Sequence, residues 1–98
     1  MNNPISALRL DQQLTSRVTT ITPAIAEEWL GRNESNRNIR PARVAQLARD
    51  MKAGNFVLTG EAIKFDWDGN LVDGQHRLTA VRVSGVTIQA LVVYGLAP

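Results

Sequence analysis

The stretch that decides the fold is Leu71-Val72-Asp73-Gly74-Gln75-His76-Arg77-Leu78-Thr79-Ala80. Its apolar start is typical of a β-strand, the Asp-Gly pair breaks that strand, and a helical pattern follows at once. A glycine at such a junction lets the main chain approach a ligand without a Cβ in the way. The first turn of a helix offers unpaired N–H groups and about half a positive charge, which favour an anion. The sequence therefore predicts a strand–turn–helix site for a phosphate.

Each polar residue of this turn has a predicted role and a plainer alternative. The predicted phosphate-binding residues are Gly74, Gln75, His76 and Arg77. Arg77 supplies a fork of donors that fits phosphate, and His76 can donate to a phosphate oxygen or carry a proton. Asp73 can hold a metal ion, polarise a hydroxyl or simply cap the helix. An ordinary Asp-Gly turn, a surface histidine and a salt-bridged arginine explain the same residues, so from chemistry alone the two interpretations are nearly balanced.

Hydrophobic periodicity predicts the elements on either side of the turn. In chain order they are a strand over 18–21, helices over 23–31 and 41–53, strands over 62–66 and 70–72, a helix over 76–83 and a strand over 87–94. The last strand is apolar almost throughout, as expected for a strand covered on both faces. We predict an α/β (α+β) domain over 18–98, with about three helices on a small mixed sheet. Residues 1–17 are an extension that shows no sustained period and need not be well ordered.

Composition excludes several classes of function. The chain has 98 residues, enough for one domain, and contains no cysteine, which removes disulfides and thiolate catalysis. Its single histidine argues against a histidine-ligated metal site, so we predict no resident metal. No apolar run is long enough to span a bilayer and the start does not resemble a signal peptide. The sequence therefore predicts a cytoplasmic protein without a membrane partner.

The positive charge is concentrated before the second helix. Net charge is only +2, but four arginines fall close together there: Arg32, Arg37, Arg40 and Arg43. Such a patch can contact nucleic acid or be an ordinary solvated helix start, and we predict Arg37, Arg40 and Arg43 as nucleic-acid contacts. The first two helices are too far apart in sequence for a tight helix-turn-helix. A reader of the DNA major groove is therefore disfavoured.

The segment Asp73-Gly74-Gln75-His76-Arg77-Leu78, with Ala80 following, resembles the signature of the ParB/sulfiredoxin superfamily. The corresponding element reads Gly-Glu-Arg-Arg in ParB proteins, where it binds the triphosphate of CTP, and Gly-Cys-His-Arg in sulfiredoxin, where it serves ATP. Gln75 stands at the position of the reactive cysteine, which excludes sulfiredoxin's own chemistry. The similarity extends from Ile21 to about Gly95 and is typical of short ParB-like proteins of actinobacteria and their phages. The signature also resembles those of DNA-modification-associated proteins and of the free-serine kinase branch.

The resemblance implies a nucleotide-binding domain that takes ATP or CTP, with Mg²⁺ as an accompanying ion. It would act as a switch or as a phosphotransfer or hydrolysis module linked to DNA metabolism, so an NTPase, a kinase and a nuclease stay open. Asp73, His76 and Glu61 are the candidate catalytic residues. Glu61 is included because, in the kinase branch, a glutamate from the corresponding region looks catalytic. A solvated Glu61 is an equally good interpretation.

Two other classes of function stay open. One is a DNA-binding or nuclease-accessory protein that binds the backbone phosphates of nucleic acid. The other is a module that binds a protein partner through a degenerate pocket. The apolar stripe of helix 41–53 can serve the core or a homodimer contact.

Overall fold

The structure, a computed structural model, describes residues 14–32, 39–58 and 61–98. Over these residues the chain forms β1 (Thr15–Ile21), α1 (Pro23–Leu30), α2 (Pro41–Lys52), β2 (Ala62–Asp66), β3 (Leu71–Asp73), α3 (Gln75–Ser84) and β4 (Ile88–Leu96). The four strands form one sheet in the order β1-β4-β2-β3. β2 and β4 run parallel and the other neighbours run antiparallel, so the sheet is mixed. The predicted α+β class is confirmed for the described part of the chain.

Strand β1 is longer than the sequence predicts. It begins at Thr15 instead of Val18, and all seven of its residues pair with β4. Residues 15–17 therefore belong to the sheet and not to the N-terminal extension. Residues 1–13 of that extension, and residues 33–38 between the first two helices, lie outside the described residues.

Helices α1 and α2 begin at the predicted residues. Thr22 is the N-cap of α1, where its Oγ1 accepts a hydrogen bond from the N–H of Ile25 at 3.1 Å, and Pro23 follows at the first helical position. Helix α2 also starts at a proline, Pro41. Its predicted apolar stripe is buried in full and consists of Val44, Leu47, Ala48 and Met51. Burial of this stripe in the chain's own core accounts for it without a second copy of the protein.

The core is centred on three aromatic rings. Phe65 of β2 lies edge-on to Trp29 of α1, with ring centroids 5.1 Å apart, and stacks on Tyr94 of β4 at 5.5 Å. Trp29 is thus a core residue. Trp67 lies on the β2–β3 turn and is 41% exposed. These contacts fix α1 against the middle of the sheet.

Strand β4 is fully covered on one face only, which corrects the expectation of a strand buried on both. Ile88, Ala90 and Val92 belong to the core cluster that also contains the buried residues of the helices. On the opposite face Gln89 is exposed and Leu91 is half-buried. The reason is that the described helices pack on the same side of the sheet, so a two-layer domain results.

Helices α2 and α3 lie side by side and run in the same direction. At their starts, the main-chain N–H of Arg40 donates to Nε2 of His76 at 3.0 Å. At their ends, Oγ of Ser84 lies 3.9 Å from the sulfur of Met51. The two helix starts, each next to a predicted site residue, are therefore brought to the same edge of the domain.

Candidate functional site

The turn into α3 has the strained geometry that only glycine tolerates. Gly74 is buried and has φ +107° and ψ 9°, in the left-handed region. A Cβ built there would lie 2.9 Å from Cγ1 of Ile63 on the neighbouring strand. The predicted strand–turn–helix junction is confirmed, and glycine allows it because the turn packs directly on β2. Since the N-cap residue Gly74 has no side chain, it cannot cap the first turn of α3.

A cleft beside this turn brings together side chains from distant parts of the sequence. It has a volume of about 200 Å³. Its lining consists of Arg43, Leu47, Asp50, Asn55, Phe56, Val57, Leu58, Glu61, Arg77 and Ala90. We call it the Arg77 cleft. Its walls are α2, the segment that leads from α2 to β2, the first turn of α3 and the centre of β4.

Two of the predicted site residues form an ion pair in the Arg77 cleft. Nη2 of Arg77 lies 3.3 Å from Oε1 of Glu61, across a sequence separation of 16 residues. The Arg77 side chain is only 15% exposed, whereas the Glu61 side chain is 64% exposed. Because one partner is so exposed, solvent screens the pair and it stabilises the fold only weakly. The pair places a guanidinium and a carboxylate next to each other at the cleft.

His76 faces the start of α2 and is not among the residues that line the Arg77 cleft. Its Nε2 accepts the Arg40 N–H, and its side chain is partly exposed. An accepting Nε2 requires a neutral ring that carries its proton on Nδ1. Nδ1 is then the ring atom with a proton to donate.

Asp73 and Gln75 also lie apart from the cleft lining. Oδ1 of Asp73 accepts the N–H of Gly74 at 2.8 Å, and Oδ2 lies 3.8 Å from Nζ of Lys64. Asp73 thus stabilises the turn before the helix and pairs across the β2–β3 hairpin. Gln75 is 2% exposed, so it belongs to the protein interior.

The arginines predicted to contact nucleic acid have different positions. Arg40 and Arg43 are exposed around the start of α2, but only Arg43 also lines the Arg77 cleft. Arg37 lies outside the described residues. The structure therefore adds Arg43 to the residues around Arg77, a position that sequence reasoning did not give it.

Asp50 is a cleft residue that sequence reasoning did not select. It lies about two helical turns after Arg43 and therefore on the same side of α2. The spacing between Arg43 and Asp50, together with the buried apolar stripe between them, is the sequence signal that could have identified Asp50 as a cleft residue. Asp50 gives the cleft a second carboxylate besides Glu61.

The described residues contain no group of three or more His, Cys, Asp or Glu side chains that could hold a metal ion. Mg²⁺ usually needs only one or two protein carboxylates when phosphate oxygens and water complete its shell. Glu61 and Asp50 are the carboxylates of the cleft that fit such an ion.

None of the helices in the described part of the chain combines the length and apolarity that crossing a bilayer requires. No protein family, curated protein or solved structure matches this chain.

Proposed function

We propose that this chain is a ParB/sulfiredoxin-like domain that binds the phosphates of a nucleotide, ATP or CTP, in the Arg77 cleft. The observation that carries the proposal is the presence of Arg43 and Arg77, from two different helices, in the lining of one cleft. Placing two positive charges at one cleft is unfavourable unless anions balance them. In the free protein the carboxylates of Glu61 and Asp50, which line the same cleft, balance these two charges. A polyphosphate would bind the two guanidinium groups more strongly, and Mg²⁺ could lie between it and the carboxylates.

In this proposal each side chain of the cleft has a distinct task. Arg77 is held almost buried, so its donors are already oriented and little side-chain entropy is lost when phosphate binds. Arg43 is exposed and would close on the ligand from α2. Phosphate oxygens would replace the carboxylate of Glu61 on Arg77, which would leave Glu61 beside the ligand, where it could hold Mg²⁺ or accept a proton from an attacking group.

The size of the cleft matches part of a nucleotide. Its volume of about 200 Å³ is below the roughly 300–1,000 Å³ of sites that enclose a whole small ligand. The phosphates would occupy it, and the ribose and base would extend beyond it. Affinity would then come mainly from the phosphates, so we expect triphosphates to bind more tightly than diphosphates.

Calorimetry with ATP, CTP, GTP and ADP, with and without Mg²⁺, tests the proposal. Replacing Arg77 by alanine removes a charged phosphate contact and should weaken binding by about 10- to 100-fold. The matched control is Arg82→Ala, because Arg82 lies on the same helix but pairs with Glu27 away from the cleft. Binding that is equally strong in both variants, or absent from the folded wild-type protein, contradicts the proposal.

A second candidate function is binding of the nucleic-acid backbone, favoured by the exposure of both Arg40 and Arg43 around the start of α2. Arg40 separates the two candidates because it does not line the Arg77 cleft. Arg40→Ala should weaken binding to duplex DNA but leave nucleotide affinity unchanged. Binding to DNA should also fall steeply as the salt concentration rises.

A further inference from the structure

His76 occupies a position between two helix starts. It is the second residue of α3, and its Nε2 lies 3.0 Å from the main-chain nitrogen of Arg40, 36 residues earlier. Arg40 is the N-cap of α2, and the next residue, Pro41, has no N–H to donate. The Arg40 N–H is therefore the last main-chain donor before α2, and a side chain of α3 accepts its hydrogen bond.

This hydrogen bond constrains the cleft although His76 does not line it. Arg43 lies in the first turn of α2, and Arg77 is the residue after His76. Fixing the Arg40 N–H on the His76 ring therefore fixes the distance between the two helix starts that carry these arginines. The buried stripe holds α2 from Val44 onward, but it leaves the first turn exposed at residues 41–43.

We propose that His76 is a positioning residue: its neutral imidazole, through the His76–Arg40 hydrogen bond, sets the separation of Arg43 and Arg77 across the Arg77 cleft. The hydrogen bond itself is independent of the proposed function, whereas its effect on phosphate affinity rests on that function. The proposal replaces direct contact of His76 with phosphate by an indirect effect through main-chain geometry.

Two substitutions of His76 separate these possibilities. In His76→Gln the side-chain oxygen lies about as far from the main chain as Nε2 does and can accept the Arg40 N–H. In His76→Asn the oxygen lies at the place of Nδ1 and falls short of it. The glutamine variant is thus the matched rescue of the asparagine variant.

The measurements are amide hydrogen exchange at Arg40, read by NMR, and the affinity for inorganic triphosphate, read by calorimetry. We expect His76→Asn to speed exchange at Arg40 by about 2- to 10-fold, the range expected for loss of one hydrogen bond, and to weaken triphosphate binding by a similar factor. We expect His76→Gln to restore both values to within about twofold of wild type, by the same reasoning.

Other results overturn the inference. If both variants lose triphosphate affinity while Arg40 stays protected in His76→Gln, the imidazole contacts the ligand itself. If neither variant changes exchange at Arg40, the hydrogen bond does not hold the helix start. Failure of the wild-type protein to bind triphosphate refutes the proposed function. Hydrogen exchange at Arg40 then still decides whether the His76–Arg40 hydrogen bond holds the start of α2. If His76→Asn does not fold, His76→Gln alone decides, because it must keep Arg40 protected.

Discussion

At Gly74 a single hydrogen atom in place of a side chain determines whether the turn can pack on the sheet. Alanine there would place a Cβ 2.9 Å from Ile63 and would have to adopt φ +107°. The left-handed conformation costs a non-glycine residue about 1–2 kcal/mol, and overpacking adds about 1–3 kcal/mol. We expect Gly74→Ala to lower the free energy of unfolding by about 2–5 kcal/mol in urea titrations, by the sum of these two effects.

The matched control is Gly85, which ends the same helix with φ +73°; a Cβ added there would have nothing within 4 Å among the described residues. Gly85→Ala should therefore show the conformational cost alone, about 1–2 kcal/mol. Equal losses in the two variants would mean that the contact with Ile63 relaxes freely and that close packing does not explain Gly74.

The β2–β3 hairpin depends on a buried carboxylate at the end of β2. Oδ1 of Asp66 accepts the N–H groups of Asp68 and Asn70, each at 2.9 Å, and the Asp66 side chain is buried. Asp66→Ala leaves both donors without that acceptor and should cost about 1–3 kcal/mol of unfolding free energy. Asp66→Asn keeps a carbonyl oxygen in place and should lose less.

Asp68→Ala is the second control in the hairpin, because Asp68 is exposed. Its free energy of unfolding should stay within about 0.5 kcal/mol of that of the wild-type protein. Thermal or urea unfolding of the Asp66 and Asp68 variants measures both effects. A loss as large as that of Asp66→Ala would show that charge in the turn, and not the buried acceptor, stabilises the hairpin.

The elements were predictable from sequence where the signal is local. Thr22-Pro23 at a helix start and Asp68-Gly69 at a tight turn act within a few residues, so the sequence alone located them. The faces of β4 were not predictable, since an apolar strand looks the same whether helices cover one face or two. Coverage depends on where the helices pack, which the composition of the strand does not encode.

The site was predictable only in part, for the same reason. Arg77 and Glu61 were selected separately, and their ion pair follows from the approach of the segment before β2 to α3. Arg43 was selected for nucleic acid, and its place in the Arg77 cleft follows from the packing of α2 beside α3. The His76–Arg40 hydrogen bond involves a main-chain donor, which no residue type reveals.

For the molecule as a whole, a ligand that binds only the folded state must raise its stability. At 100 times its dissociation constant, a nucleotide adds about 2.7 kcal/mol to the free energy of unfolding. A domain of this size gains about 4–8 °C in Tm per kcal/mol, so we expect the preferred triphosphate to raise Tm by about 10–20 °C. Differential scanning calorimetry at several ligand concentrations measures this shift.

The same ligand titration on two variants tests whether the rise in Tm comes from binding in the Arg77 cleft. Arg82→Ala should show the full rise in Tm, while Arg77→Ala should show a much smaller rise at the same nucleotide concentration because its dissociation constant is larger. Because linkage responds to binding anywhere on the folded protein, a rise that survives in Arg77→Ala would place the nucleotide at another surface. The exposed arginines around the start of α2 would then be the next residues to replace, since Arg40 carries its charge outside the cleft.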